Sequence, residues 1–276
     1  MHSGYQNVEF GYFSVRWALQ LCNMKKSKIA IVTGGSRGLG KNISIALAKR
    51  KIDVLITYHG NKAAANEVVA AIEAMGQKAA AFQLDTGDTK QIEAFITRVT
   101  EHLQKENGSP CFDFLINNAG SNLYAPIAET TEQQLDAMFH IGYKGVFWLT
   151  QKSLPYINNG GAIVNISSGL ARISVPGESV YASMKSAVET LTRYLAQELG
   201  TRQIRVNAVA PGAVETDFGG GITRDNKEAN ARIAGLTALG RAGIPDDIGG
   251  VVAFLCSSDA FWINGQRIEV AGGQSL

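Results

Sequence analysis

The chain of 276 residues has few cysteines, few histidines, little net charge and no long apolar segment. Its three cysteines, Cys22, Cys111 and Cys256, are widely spaced and odd in number, which favours reduced thiols over a disulfide framework. The four histidines are scattered, so we predict no metal site. A net charge of +2 without a dense Lys/Arg cluster argues against a nucleic-acid partner. The longest apolar runs are shorter than a membrane span, so we expect a cytoplasmic protein without a membrane partner.

The composition is otherwise that of a globular protein, with 45% hydrophobic and 18% charged residues. No Pro/Ser-rich linker or internal repeat divides the chain, so we predict a single domain over residues 24–276. Residues 1–23 contain aromatics without clear periodicity, and their apolar stretch, interrupted by Arg16, lacks a signal-peptide cleavage site. We predict that residues 1–23 are a disordered extension; a lid or an oligomerisation arm is the alternative.

From residue 24 onward, strand-like and helix-like segments alternate. Strands are predicted at 28–33, 53–58, 78–84, 112–117, 161–167, 203–210 and 267–270. Helices are predicted to begin near Gly38, Asn61, Asp88, Thr131, Ser179 and Pro245. This alternation predicts an α/β fold, a doubly wound parallel sheet of about seven strands with helices on both faces.

Three segments that follow or end predicted strands carry glycines or hydroxyl groups: Thr33–Gly40, Asn117–Gly120 and the strand end at Ser168. Open parallel sheets bind ligands at the carboxyl ends of their strands. In the first segment, Gly34 permits a tight turn, and Gly38 and Gly40 permit close approach of phosphates to the helix amino terminus. The sequence therefore predicts a nucleotide-binding site at this edge of the sheet.

Tyr181 and Lys185 are four residues apart, so a helix places both on one face. A neighbouring ammonium favours the phenolate, so we expect Lys185 to lower the pKa of Tyr181 toward the neutral range. Ser168 stands thirteen residues before Tyr181, at the end of a predicted strand. Its neighbour Ser167 points to the opposite face of the strand, so only one of the two serines can reach the site.

These motifs resemble those of the short-chain dehydrogenase/reductase family, and the match extends from about Lys25 to Gly273. The family's glycine motif matches Thr33–Gly40, and its Asn-Asn-Ala-Gly matches Asn117–Gly120. The family's thirteen-residue spacing selects Ser168, Tyr181 and Lys185 as the catalytic residues. A Pro-Gly turn with a following threonine matches Pro211, Gly212 and Thr216. The resemblance implies a Rossmann-type fold.

The resemblance also implies an NAD(P)(H)-dependent oxidoreductase that reduces a carbonyl or oxidises an alcohol by hydride transfer. Tyr181 is then the proton donor or acceptor, Ser168 binds the substrate oxygen, and Lys185 holds the cofactor ribose. The implied cofactor-binding residues are Gly34, Ser36, Arg37, Gly38, Leu39, Gly40, His59, Asp85, Asn118, Ala119, Gly120, Tyr181, Lys185, Pro211, Gly212, Val214 and Thr216. The substrate could be a 3-oxoacyl thioester, a sugar or polyol, a steroid or another small ketone, and residues 213–239 resemble the family's substrate lid.

The second predicted strand decides the cofactor prediction. NAD enzymes of this type end that strand with an acidic residue for the ribose hydroxyl, but here the only acid, Asp53, is at its beginning. Arg37 and His59 could instead contact a 2′-phosphate. We therefore expect NADP(H) to be preferred, with NAD(H) as the alternative.

One position departs from the family pattern. Where the family has a fourth catalytic residue, an asparagine, this chain has Gly142. In a regular helix His140 lies on the far side and is a poor substitute. The alternative function is therefore a nucleotide-binding sensor or scaffold of the same fold with little turnover.

The resemblance implies a homodimer or homotetramer formed through the helices at about 131–158 and 179–200. Val188, Leu191, Leu195 and Leu199 form an apolar stripe on the second of these helices. We interpret the stripe as interface surface, with intramolecular core as the alternative.

Overall fold

The computed structural model of the protein describes residues 27–276, so the predicted extension at 1–23 lies outside the described residues. The strands are β1 (Lys28–Val32), β2 (Ile52–Tyr58), β3 (Ala79–Gln83), β4 (Phe112–Asn117), β5 (Ile157–Ile166), β6 (Arg205–Pro211) and β7 (Arg267–Val270). The helices are α1 (Gly38–Lys49), α2 (Lys62–Glu73), α3 (Lys90–Asn107), α4 (Glu132–Phe139), α5 (Gly145–Ser153), α6 (Ser179–Glu198), α7 (Ile222–Asp225), α8 (Lys227–Gly235) and α9 (Pro245–Leu255).

The seven strands form one sheet in the order β3-β2-β1-β4-β5-β6-β7, and every neighbouring pair is parallel. The predicted Rossmann-type fold is therefore confirmed. Strand β5 begins four residues earlier than predicted, because Ile157 already pairs with Phe112 ahead of a register shift. Strands β2 and β3 follow one another on one side of β1, whereas β4 and the later strands lie on its other side. The point between β1 and β4 is thus the topological switch point, where doubly wound sheets bind ligands.

Two apolar cores cover the two faces of the sheet. Alternate residues of β1 divide between them: Ala30 and Val32 pack with α1, α2 and α9, whereas Ile29 and Ile31 pack with α3, α5 and α6. This alternation follows from the two-residue period of a strand. Helices bury both faces of the sheet, as is usual for parallel sheets. The carboxyl ends of the strands remain accessible, and a ligand can bind there.

The apolar stripe of α6 belongs to the second core. Val188, Leu191, Leu195 and Leu199 are all buried within the single chain. The interpretation of the stripe as interface surface is therefore wrong, and the intramolecular alternative is correct. The side chains pack on the sheet because the helix crosses β5 and β6 along its length.

The expectation of three reduced thiols is wrong for Cys111, which is disulfide-bonded. Cys256 is a free, fully buried thiol, and burial raises its pKa to about 12.

Within residues 27–276, no helix is both long and apolar enough to cross a membrane. The same residues contain no group of three His, Cys, Asp or Glu side chains that could hold a metal ion.

Candidate active site

A cavity of about 730 Å³ opens at the carboxyl edge of the sheet. Its volume lies in the range of small-molecule and cofactor sites, roughly 300–1,000 Å³. All of the residues that the sequence predicts as catalytic or cofactor-binding line this one cavity. They come from turns that are far apart in the chain, and the sheet brings them together because its parallel strands all end at the same edge.

Ser168, Tyr181 and Lys185 form a buried cluster at one end of the cavity. The hydroxyl of Ser168 is hydrogen-bonded to Tyr181, and it also accepts the N–H of Leu170 at 3.2 Å. The ammonium of Lys185 donates to the carbonyl oxygen of Ile166 at 2.8 Å and lies 5.6 Å from the centre of the Tyr181 ring. The cluster thus contains one phenol, one hydroxyl and one fixed cation.

Burial dominates the protonation of this cluster. It raises the pKa of Tyr181 to about 12, against the hydrogen bond from Ser168, and the Glu178 carboxylate raises it further. Burial also lowers the pKa of Lys185 to about 8. The expected low pKa of Tyr181 is therefore wrong for the protein alone, because the Lys185 ammonium is directed at the Ile166 carbonyl and the phenol is shielded from water.

The two adjacent serines have separate partners. Ser167 donates to the carboxylate of Glu189 at 2.6 Å, whereas Ser168 is bonded to Tyr181. Arg267 links the two: it donates to Glu189 at 2.7 Å and to the backbone carbonyl of Ser168 at 3.3 Å. Ser168 is thus the serine that the structure places at the phenol.

The glycine turn is tied to the neighbouring strand end. The Thr33 hydroxyl accepts the backbone N–H groups of Asn118 and Ala119, each at 2.9 Å, and the Asn118 amide donates to the Thr33 carbonyl at 2.8 Å. Gly34 has a φ of +64°, a left-handed conformation that favours glycine. A side chain at Gly40 would lie 2.1 Å from the Gly34 carbonyl, so only glycine allows α1 to approach the turn this closely.

The amino terminus of α1 fits a dinucleotide pyrophosphate. No side chain among the described residues caps this helix end, which leaves its first N–H groups free for an anion. The end faces the cavity, since Gly38, Leu39 and Gly40 line it. The residues present therefore fit a nicotinamide dinucleotide, with the pyrophosphate at α1 and the ribose near Lys185.

The far end of the cavity carries Arg37 and His59, the two residues on which the predicted cofactor preference depends. The Arg37 side chain is 75% exposed and lies 3.9 Å from Asp217, and the His59 imidazole lies 3.8 Å from Asp85. Asp53 is at the other end of β2, where it accepts the N–H of Lys78 at 2.9 Å, and it does not line the cavity. An exposed guanidinium and an imidazole thus stand where an NAD enzyme has a carboxylate.

Gly142 lies in an interruption of the helix and outside the cavity lining. Residues His140–Lys144 form a π-turn between α4 and α5, so the helix is irregular here, but His140 does not line the cavity. Gly142 is buried, and a Cβ atom on it would lie 3.0 Å from the Cβ of Met184, the residue before Lys185. The side chain of Met184 therefore occupies the space that an asparagine at position 142 would need.

Two residues at the substrate end, Asn122 and Glu178, were missed by sequence reasoning, and a third, Phe218, was included only as part of the predicted lid at 213–239. The Phe218 ring lies 5.9 Å from the Tyr181 ring. Asn122 donates to Glu178 at 3.3 Å. An acidic residue three positions before the predicted catalytic tyrosine was the available signal for Glu178. Asn122 and Phe218 belong to loops whose position depends on the folded chain, so no local pattern could have identified them.

Comparison with known proteins adds the following. Residues 34–275 match the family described as enoyl-(acyl carrier protein) reductase. An uncharacterized oxidoreductase of Methylorubrum extorquens is 39% identical, over 90% of this chain and 98% of that protein. A hydroxynaphthalene reductase-like protein of Metarhizium majus is 35% identical, over 89% of this chain and 94% of that protein. The crystal structure of a landomycin C-6 ketoreductase with bound NADP and rabelomycin superposes with a TM-score of 0.82 at 33% identity, over 90% of this chain and 96% of that one.

Proposed function

The chain belongs to the short-chain dehydrogenase/reductase family, and from that premise we propose that it reduces the carbonyl group of a small-molecule ketone with NADPH. The observation that carries the proposal is the convergence of Ser168, Tyr181, Lys185 and the glycine turn on one cavity. The similarity to a ketoreductase with bound NADP supports the same direction of reaction. The products are the alcohol and NADP⁺.

When bound, NADPH supplies the hydride that adds to the carbonyl carbon. Tyr181 donates a proton to the carbonyl oxygen, and the Ser168 hydroxyl hydrogen-bonds that oxygen as its negative charge develops. A phenol with its pKa raised to about 12 keeps its proton at neutral pH, which suits a donor in reduction better than an acceptor in oxidation. The charge of Lys185 stabilises the phenolate that remains after the transfer, and solvent returns the proton.

The preference for NADPH over NADH rests on Arg37 and His59. Both line the cavity, and β2 ends with Tyr58 and His59 rather than with an acid. A 2′-phosphate forms charge-assisted hydrogen bonds with a guanidinium, which are about twice as strong as neutral ones. The 2′-hydroxyl of NADH carries no charge and gains less from the same side chains.

Initial rates with NADPH and NADH over a panel of ketones test the proposal. We expect kcat/KM to favour NADPH by about tenfold or more, equivalent to about 1.4 kcal/mol. Arg37→Ala should remove most of that preference. Lys41→Ala, which removes an exposed cation from the same helix but outside the cavity, should retain it. Equal efficiency with both cofactors would contradict the NADPH assignment.

Turnover itself separates the two functions that the sequence left open. Tight NADPH binding without NADPH consumption across ketones, aldehydes and 3-oxoacyl thioesters would favour the sensor or scaffold. Consumption of NADPH with any of them would favour the reductase.

A further inference from the structure

Two buried oxygen atoms at the substrate end of the cavity lack a hydrogen-bond partner among residues 27–276: Oδ1 of Asn122 and Oε2 of Glu178. Both residues line the cavity. A buried acceptor without a donor costs on the order of 1–3 kcal/mol, and more when it is charged. Folded proteins rarely leave two such atoms together unless a ligand supplies the donors.

The two side chains are held in place by their neighbours. The Asn122 amide donates to the other Glu178 oxygen, Oε1, at 3.3 Å. The Ala125 N–H donates to the Gly177 carbonyl at 2.8 Å, and the Tyr124 ring packs so closely on Gly177 that a Cβ atom there would lie 2.6 Å from it. The loop at 122–125 is thus docked on the turn before α6. The two free oxygens therefore form a fixed pair of acceptors.

The pair stands beside the reacting group. Glu178 immediately precedes α6, three residues before Tyr181, and its carboxylate interacts electrostatically with the Tyr181 phenol. Asn122 also lies near the predicted lid, since its amide nitrogen is 3.6 Å from the place where a Cβ added to Gly219 would stand. A substrate whose carbonyl reaches Ser168 and Tyr181 would have its adjacent atoms near these acceptors.

The remaining walls of this end are apolar. The Phe218 ring lies against Tyr181, and the other apolar side chains lining the cavity include Ile173, Val175, Ile222 and Leu236. Apolar walls favour a hydrocarbon or aromatic ring over a charged group. Moving an ammonium from water to these apolar walls is costly even when a carboxylate is its partner. Carboxylate and phosphate substituents are repelled by the Glu178 charge.

We propose that Asn122 and Glu178 form a specificity site for a hydroxyl group on a cyclic ketone, whose single O–H is shared between the two acceptor oxygens in a three-centre hydrogen bond while Ser168 and Tyr181 hold the carbonyl. This inference rests on the proposed ketone reduction and narrows it to hydroxylated cyclic ketones. Glu178 and Asn122 are specificity residues here, and the proton is still donated by Tyr181.

The test compares 1-tetralone with its 5-, 6- and 7-hydroxy derivatives, with the methoxy derivatives as size controls. Rates of NADPH oxidation are measured for the parent protein, Glu178→Gln, Asn122→Ser and Glu198→Gln. The last variant makes the same substitution at an exposed position of α6. Hydrogen bonds to a charged acceptor predict that the parent favours at least one hydroxytetralone over 1-tetralone by roughly tenfold to a hundredfold in kcat/KM.

Glu178→Gln and Asn122→Ser should each reduce this ratio at least severalfold, whereas Glu198→Gln should retain it. A ratio near one in the parent, the same ratio in all variants, or an equal preference for the methoxytetralones would overturn the inference. Isothermal titration of the NADP⁺ complex, which has no hydride to transfer, with the same ketones measures the preference as affinity and needs no turnover. Absence of turnover with every ketone would therefore count against the proposed reaction, while the titration still decides whether the hydroxyl site exists.

Discussion

Tyr181 and Lys185 lie side by side, and burial shifts the pKa of each in the direction that favours its neutral form. The pKa of Tyr181 is raised to about 12 and that of Lys185 is lowered to about 8. The sequence could predict the pairing, because four residues make one helical turn. It could not predict the desolvation, because the residues that bury the pair, such as Ile166 and Phe218, come from distant segments. The sequence therefore identified the two residues, but it could not predict which protonation state of each the folded protein favours.

The buried lysine makes a prediction for stability. The pKa of Lys185 is about 8 in the folded protein against an ordinary value of 10.5, so between these values the unfolded chain binds more protons. The contribution of Lys185 to the free energy of unfolding must then rise with pH across this range. We expect the difference between the parent and Lys185→Met to shift in favour of the parent from about pH 8 to about pH 10 in urea unfolding. Lys49→Met, at an exposed position, should differ from the parent by the same free energy of unfolding at every pH in this range. A difference that is also constant for Lys185→Met would contradict the lowered pKa of Lys185.

Gly142 and Met184 make a prediction for packing. A side chain at position 142 meets the Met184 Cβ at 3.0 Å, so Gly142→Asn alone should lower the free energy of unfolding by about 1–3 kcal/mol. The double variant Gly142→Asn/Met184→Gly should be more stable than the sum of its two single variants predicts, because glycine removes the Cβ and Cγ atoms that the new side chain meets. Urea unfolding of the double variant, of Gly142→Asn and of Met184→Gly measures the coupling. A single variant as stable as the parent would show that Met184 does not limit this position.

At the scale of elements, the strands and most helix starts were predictable because their signals are local. The turn residues and the alternation of apolar residues placed six of the seven strand starts within two residues of their observed positions. The π-turn at His140–Lys144 was not predictable, since one extra residue in a turn leaves the surrounding helical pattern almost unchanged. The members of the predicted catalytic cluster lie at a strand end and on one helix, and both elements have local sequence signals. The sequence therefore identified these members but not the loop residues that surround them.

The lid gives a prediction at this scale. Gly219, Gly220 and Gly221 all have left-handed φ values, and no atom lies within 4 Å of a Cβ added to Gly220. Gly220→Ala therefore tests the backbone conformation alone, at a cost of roughly 1–2 kcal/mol. Because Phe218 contacts Tyr181, we expect a higher KM for the ketone with unchanged affinity for NADPH. Gly250→Ala, in α9 with equally free space, should leave KM unchanged; equal KM values in both variants would exclude a role of the lid backbone in substrate binding.

At the scale of the whole molecule, the two helical segments that are predicted to pair expose aromatic side chains rather than the α6 stripe. Phe139, Tyr143, Phe147 and Trp148 form a continuous series of ring contacts along α4, the π-turn and α5. Phe147 and Trp148 are about one-third exposed, and Tyr194 on α6 is 66% exposed. Such a patch is typical of a protein–protein interface. We therefore expect these aromatic side chains, rather than the α6 stripe, at the interface of the predicted homodimer or homotetramer.

This surface predicts the assembly state. We expect the parent to form a homodimer or homotetramer at micromolar concentration in light scattering, since closed symmetry is usual for soluble assemblies. Trp148→Glu should weaken the assembly by placing a charge among the aromatic rings. Gln151→Glu adds the same charge at another exposed position of α5 and should leave the assembly intact. A monomeric parent would contradict the prediction, and an unchanged Trp148→Glu assembly would place the interface elsewhere.

The central claim is that Tyr181 transfers a proton in an NADPH-dependent ketone reduction. The most direct measurement is the rate of NADPH consumption by the parent and by Tyr181→Phe with the best ketone, together with the NADPH affinity of each by titration. We predict that Tyr181→Phe lowers kcat by at least about a hundredfold, the lower end of general acid catalysis, while the affinity for NADPH changes less than about threefold. Near-normal turnover by Tyr181→Phe would contradict the account.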